Sequence, residues 1–122
     1  ENMNDRYKDN LILNLTVEFS VSLIEFVETL NGKKNSCYRD NYYGQERVLE
    51  QILLKTNAES TRHFISKFKI ALREADETHY WLTLCQKSKS YPDPPSELFV
   101  QLTSIIKVIN KIISTAVNKN VT

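Results

Sequence analysis

Apolar residues crowd the stretch from Leu11 to Leu30 in two overlapping patterns. Leu11, Leu13, Leu15, Val17, Phe19 and Val21 alternate as they would in a strand. Ile12, Leu15, Phe19, Leu23, Phe26, Val27 and Leu30 keep the three-to-four spacing of a helix across the whole stretch. Strands usually run about 3–10 residues, so the pattern predicts a first helix over residues 10–30, closed by Asn31-Gly32. A second helix is expected over 42–55, with Leu49, Ile52 and Leu53 facing inward. Thr56 to Glu59 fits a capping box ahead of a third helix over 57–87. Its stripe is Phe64, Ile65, Phe68, Ala71, Leu72, Ala75 and Leu82. "SYPDPPSE" breaks the chain. Asp93 can then cap a fourth helix, with Pro94 at its first position, running over 94–117. That helix lines up Leu98, Leu102, Ile105, Ile106, Ile109, Ile112, Ile113 and Ala116 opposite Lys107, Asn110, Lys111 and Ser114. The last residues are expected to fray. Four amphipathic helices on short links predict an all-α, antiparallel up-down-up-down four-helix bundle, one domain over residues 1–122.

Two of the four helices carry more apolar surface than one core requires. At about 100° per residue, Leu13, Val17, Val21 and Ile24 make a second stripe on the first helix. Only Asn14, Glu18, Glu25 and Thr29 leave it a polar wedge. On the third helix, Ile70, Trp81 and Leu84 lie opposite the core stripe, among Arg73, Glu74 and Glu77. Burying each such side chain is worth roughly 1.5–3 kcal/mol, and leaving rows of them in water invites aggregation. These seven residues are therefore expected to form a homo-oligomer interface. The competing reading is that the first helix is the most buried helix of a monomer. Ala71 and Ala75 allow close approach of helices, and Trp81 is the expected anchor of the contact, with Glu74 and Glu77 paired across it.

Composition agrees with this picture. Hydrophobic residues make up 41% and charged residues 25%, as in a globular domain. Two glycines and three prolines are too few for the turns of a many-stranded fold. A net charge of +1 gives no overall field toward nucleic acid or membrane. Arg62, Lys69 and Arg73 nevertheless share one side of the third helix, and Lys107 and Lys111 share the polar face of the fourth. Alone these are solvated faces; repeated around a symmetric assembly they form a ring able to hold RNA or single-stranded DNA. Cys37 and Cys85 have no metal-type spacing, and either one disulfide or two free thiols fits, free thiols being the expectation in a cytoplasmic protein. No uninterrupted apolar run reaches the roughly 18 residues of a membrane span, and "ENMNDRYKDN" does not read as a signal peptide. A cytoplasmic location without membrane contact is the expectation.

Catalytic chemistry finds little support in the sequence. Asp76 and His79 have a D-x-x-H spacing, but the related motif of carboxylate-bridged metal bundles needs a second copy and two further glutamates. His63, four residues after Glu59, projects away from His79. Cys85 and His79 stand six apart on one helix and point in different directions, with no orienting third group. Gly32 and Gly44 stand alone, so no phosphate loop is present. Asn14-Leu15-Thr16 and Asn120-Val121-Thr122 match the glycosylation sequon, but a cytokine bundle needs two long crossovers that the short links do not provide. No catalytic, cofactor or metal residue is expected. The favoured function is a non-enzymatic oligomeric module that scaffolds a protein or nucleic-acid partner; the alternative is a small enzyme with a metal or small-molecule site inside the bundle.

The stretch "FISKFKIALREADETHYWLTL" also resembles the signature helix of a bacterial four-helix-bundle family that includes proteins encoded in 23S ribosomal RNA intervening sequences. The resemblance falls on Phe64-Ile65, Ala71, Glu74, Ala75, Glu77, Thr78 and Tyr80-Trp81-Leu82, and continues loosely into "LTSIIKVINKIIST". The family's glycine- and serine-rich segment is lacking, because "QILLKT" runs straight into "NAESTRHF"; the chain looks like a divergent, shortened member. The resemblance implies a closed antiparallel bundle, assembly as a homopentameric ring with a central channel, and no catalytic residues. Relatives include accessory proteins of diversity-generating retroelements, which bind a reverse transcriptase and nucleic acid through basic surfaces. That role calls for a strongly basic face, and this chain is near neutral.

Overall fold

Three long helices make up the described part of the chain, a computed structural model that describes residues 3–29 and 60–121. Helix α1 spans Met3–Thr29, α2 Thr61–Lys87 and α3 Ser96–Val121. Each runs about 40 Å at 1.5 Å per residue. No strand occurs among the described residues. The helix predicted over 42–55, with Leu49, Ile52 and Leu53, lies outside them, as do Leu30, Asn31-Gly32 and the Thr56–Glu59 box.

The boundaries moved where local polar chemistry, rather than periodicity, sets them. α1 starts at Met3 instead of near residue 10. Its first turns are polar and so carried no apolar signal, although helix formation does not require one. α2 starts one turn later than expected. Ser60 is its N-cap, with extended backbone (φ −156°, ψ 165°), and its Oγ accepts the His63 N–H at 3.1 Å, satisfying a donor that the first turn leaves orphaned. α2 stops at Lys87, and the Ser88 N–H donates to the Leu84 carbonyl at 3.0 Å. Pro92, Pro94 and Pro95 then forbid helix continuation. α3 begins at Ser96, not Pro94, and the Pro95 carbonyl accepts the Leu98 N–H at 3.0 Å. Asp93 is exposed rather than capping. At its far end α3 continues to Val121, past the residues expected to fray.

α3 is the hub of the packing. Its backbone runs close to both α1 and α2, whereas the backbones of α1 and α2 do not approach each other closely. His79, late in α2, meets Phe99, early in α3, edge to face with ring centres 5.5 Å apart. α3 therefore folds back along α2. The core combines Ile12, Phe19, Leu23, Phe26 and Val27 of α1, Phe68, Ala71, Ala75 and Leu82 of α2, and Leu98, Leu102, Ile105, Ile109 and Ile112 of α3. Leu15, Phe64, Leu72, Tyr91, Ile106 and Ile113 pack around it, and Ala116 is buried as predicted. Phe64 and Phe68, one turn apart, meet at a tilt of 53° with ring centres 4.9 Å apart.

Among the described residues, three polar ones are buried alongside this apolar set: Thr16, Thr78 and Glu74. The threonines are tolerated because each hydroxyl donates to a carbonyl one turn back, Thr16 to Ile12 at 2.6 Å and Thr78 to Glu74 at 2.9 Å. Residues 96–119 of α3 are long and apolar enough to cross a bilayer by length and composition alone. Its apolar residues are nevertheless gathered on the core side, and Lys107 and Lys111 are exposed opposite, the pattern of an amphipathic core helix.

Candidate functional site

The second stripe of α1 lies on its outer side. Val17, Val21 and Ile24 are 47%, 51% and 50% exposed, and Leu13 is half-buried beside them. Four β-branched or leucine side chains thus form a row opposite Ile12, Phe19 and Leu23. The reading that α1 is the most buried helix of a monomer does not hold for this face. Glu18, Glu25, Glu28 and Asn14 are exposed around the row.

On α2 the expected stripe divides. Leu84 is exposed, and Ile70 and Trp81 are half-buried. Tyr80, which sequence reasoning passed over, is exposed and meets Trp81 edge to face at 5.6 Å. Its adjacency to Trp81 was the available signal. Glu74 corrects the expectation that it lies on the outer face: it is 8% exposed, inside the bundle margin, and it is not without a partner. Glu77 is exposed as predicted. Ile65 moves the opposite way, from the predicted core stripe to the wall of a surface groove. Val100 and Val117 lie off the apolar face read for α3 and are exposed.

That groove runs along the first half of α2. Among the described residues it is lined by Arg62, Ile65, Ser66, Lys69, Ile70 and Arg73, with a volume of about 410 Å³. It unites three of the five basic residues singled out from the sequence. Lys107 and Lys111 are exposed on the outer side of α3 and are not part of its lining.

The residues weighed for chemistry are placed differently from one another. Asp76 is exposed, while His79 is half-buried against Phe99. His63 gives its backbone N–H to the α2 cap. Cys85 is buried, and its sulfur is in a disulfide rather than a free thiol, which corrects the expectation of free thiols. The chain's other cysteine is Cys37, outside the described residues. Among the described residues no three His, Cys, Asp or Glu side chains come together as metal ligands would. The first sequon lies within α1 with Asn14 exposed and Thr16 wholly buried.

Neither a protein-family model nor a curated protein matches this chain. A solved structure does: a protein of unknown function from the S23 ribosomal protein family of Bacteroides thetaiotaomicron VPI-5482, at a TM-score of 0.80 and 27% identity. The match covers 88% of this chain and 98% of that one. The chain is similar to an S23-family protein. The likeness extends over nearly the whole of both, so the helical arrangement is a shared fold rather than a shared fragment. The function of that neighbour is itself unknown, so no activity follows from the match.

Proposed function

We propose that this chain is a non-enzymatic four-helix-bundle module that assembles with copies of itself and scaffolds a protein or RNA partner, as a divergent relative of the 23S rRNA intervening-sequence proteins. The observation that carries the reading is the pair of exposed apolar surfaces on α1 and α2, two helices whose backbones do not approach each other closely. A molecule with two different sticky faces on separate elements associates head to tail, and such contacts close into rings when the rotation permits. The pentamer implied by the family resemblance is one such closure. The packing of the described helices supports the bundle too. In an up-down-up-down order the first and third helices sit diagonally and the fourth touches both, which is the relation among α1, α2 and α3.

The described core favours scaffolding over catalysis. Its polar members are Thr16, Thr78 and Glu74, and the two hydroxyls are committed to backbone carbonyls of their own helices. The name of the neighbour's family, ribosomal, accords with an RNA partner. Substituting Trp81→Ala is expected to reduce the assembly mass without unfolding the chain, read by light scattering and circular dichroism. An unchanged mass contradicts the assignment of Trp81 to the contact.

A further inference from the structure

Charge divides between α1 and the first half of α2. From Leu11 to Thr29, α1 carries Glu18, Glu25 and Glu28 and neither lysine nor arginine. Before Leu11, Asp5 and Asp9 balance Arg6 and Lys8. From Thr61 to Arg73, α2 carries Arg62, Lys67, Lys69 and Arg73 and no acid. A net charge of +1 thus conceals two segments of opposite sign. All three glutamates are exposed, and so are Arg62, Lys69 and Arg73. The glutamates border the outward apolar row of Val17, Val21 and Ile24. Opposite charges on two outward faces of one chain suit a second copy of that chain, because each face meets its complement at every head-to-tail contact.

Spacing fixes how the two faces meet. Glu18 and Glu25 are seven residues apart, and so are Arg62 and Lys69. Seven residues make about two turns, so each pair lies along one side of its helix, about 10 Å apart. Glu28 follows three residues on and Arg73 four, which keeps a third pair level to within one residue. The match needs helices that run the same way. In the opposite direction Glu18 and Glu28 meet Arg73 and Arg62, but Glu25 falls level with Ile65 or Ser66. In the bundle proposed above α1 and α2 share a direction, and rotation about an axis along the bundle preserves it from copy to copy. Lysine and arginine also bring apolar stems, which can cover Val17 and Val21 while their heads reach the glutamates. We infer that α1 of one copy lies parallel along the first half of α2 of the next, with Glu18 opposite Arg62, Glu25 opposite Lys69 and Glu28 opposite Arg73. Tyr80, Trp81 and Leu84 lie past the level of Thr29 in this register, so the pairing needs none of them.

The pairing rests on the assembly proposed above, yet fails separately from it. The test reads absolute mass by light scattering for the full chain over a dilution series, with circular dichroism as the check on folding. Glu18→Lys/Glu25→Lys and Arg62→Glu/Lys69→Glu each set like charges against one another. Each should raise the concentration of half-assembly at least about tenfold. Combining all four substitutions restores opposite charges in reversed order, and should return that concentration to within about threefold of the parent's. Lys107→Glu, on the outer side of α3, should assemble as the parent does. Should a double variant not fold, Glu25→Lys, Lys69→Glu and their combination give the same reading. Reversals that leave the mass unchanged, a combined variant that assembles no better than either reversal, or equal damage by Lys107→Glu would each overturn the pairing while the assembly reading stands. A parent that is a single chain at every concentration would overturn both.

Discussion

Ser60 decides where α2 begins, by one hydrogen bond at 3.1 Å to the His63 N–H. Ser60→Ala should destabilise the chain by about 1 kcal/mol, the usual value of an N-cap, measured as a shift in urea midpoint at unchanged m-value. The neighbouring "TNAE" run offered an equally good cap in the sequence, and only the fold distinguishes two adjacent capping candidates. Cys85 is a second residue whose state was open in the sequence. With its sulfur in a disulfide, reduction should lower the unfolding free energy by about 2–4 kcal/mol. Identical melting curves with and without reductant would contradict that. Disulfides persist in oxidising compartments, so this bond stands in tension with the cytoplasmic location expected from the sequence. Glu74 was misplaced for a geometric reason. It projects to the edge of the core stripe of α2, and whether an edge position is covered depends on the neighbouring element rather than on local spacing.

At the scale of elements, periodicity located the core faces well. On α3 every residue predicted to face inward is buried or packed against the core, from Leu98 to Ala116. Leu102→Ala should cost about 2–5 kcal/mol in chemical denaturation. Val100→Ala, at a site 65% exposed, should change stability by no more than about 0.5 kcal/mol. Equal costs at the two positions would mean that the face is assigned wrongly. Helix ends were less legible, because the polar first turns of α1 and the proline-rich link before α3 carry no apolar rhythm. The buried Thr16 was also missed: a threonine reads as polar in the pattern, yet its hydroxyl is satisfied by the Ile12 carbonyl and leaves a methyl group for the core.

For the whole molecule, the outward row of Leu13, Val17, Val21 and Ile24 was readable because two stripes fit one helix where a monomer needs one. The division of the α2 stripe was not, since Ile65, Ile70 and Glu74 lie near the boundary between buried and exposed arcs. The central claim is that the outer surfaces of α1 and α2 join one copy to the next. Val21→Asp puts a charge in the middle of the α1 row, at a position 51% exposed in the single chain. It should therefore weaken assembly while leaving the core intact. The most direct measurement is absolute mass by light scattering behind a sizing column, for the parent chain and for Val21→Asp. The account predicts a closed multiple of the 14.2 kDa chain for the parent, a pentamer by the family resemblance, and a shift toward single chains for the variant. A parent mass of one chain at every concentration tested would contradict it.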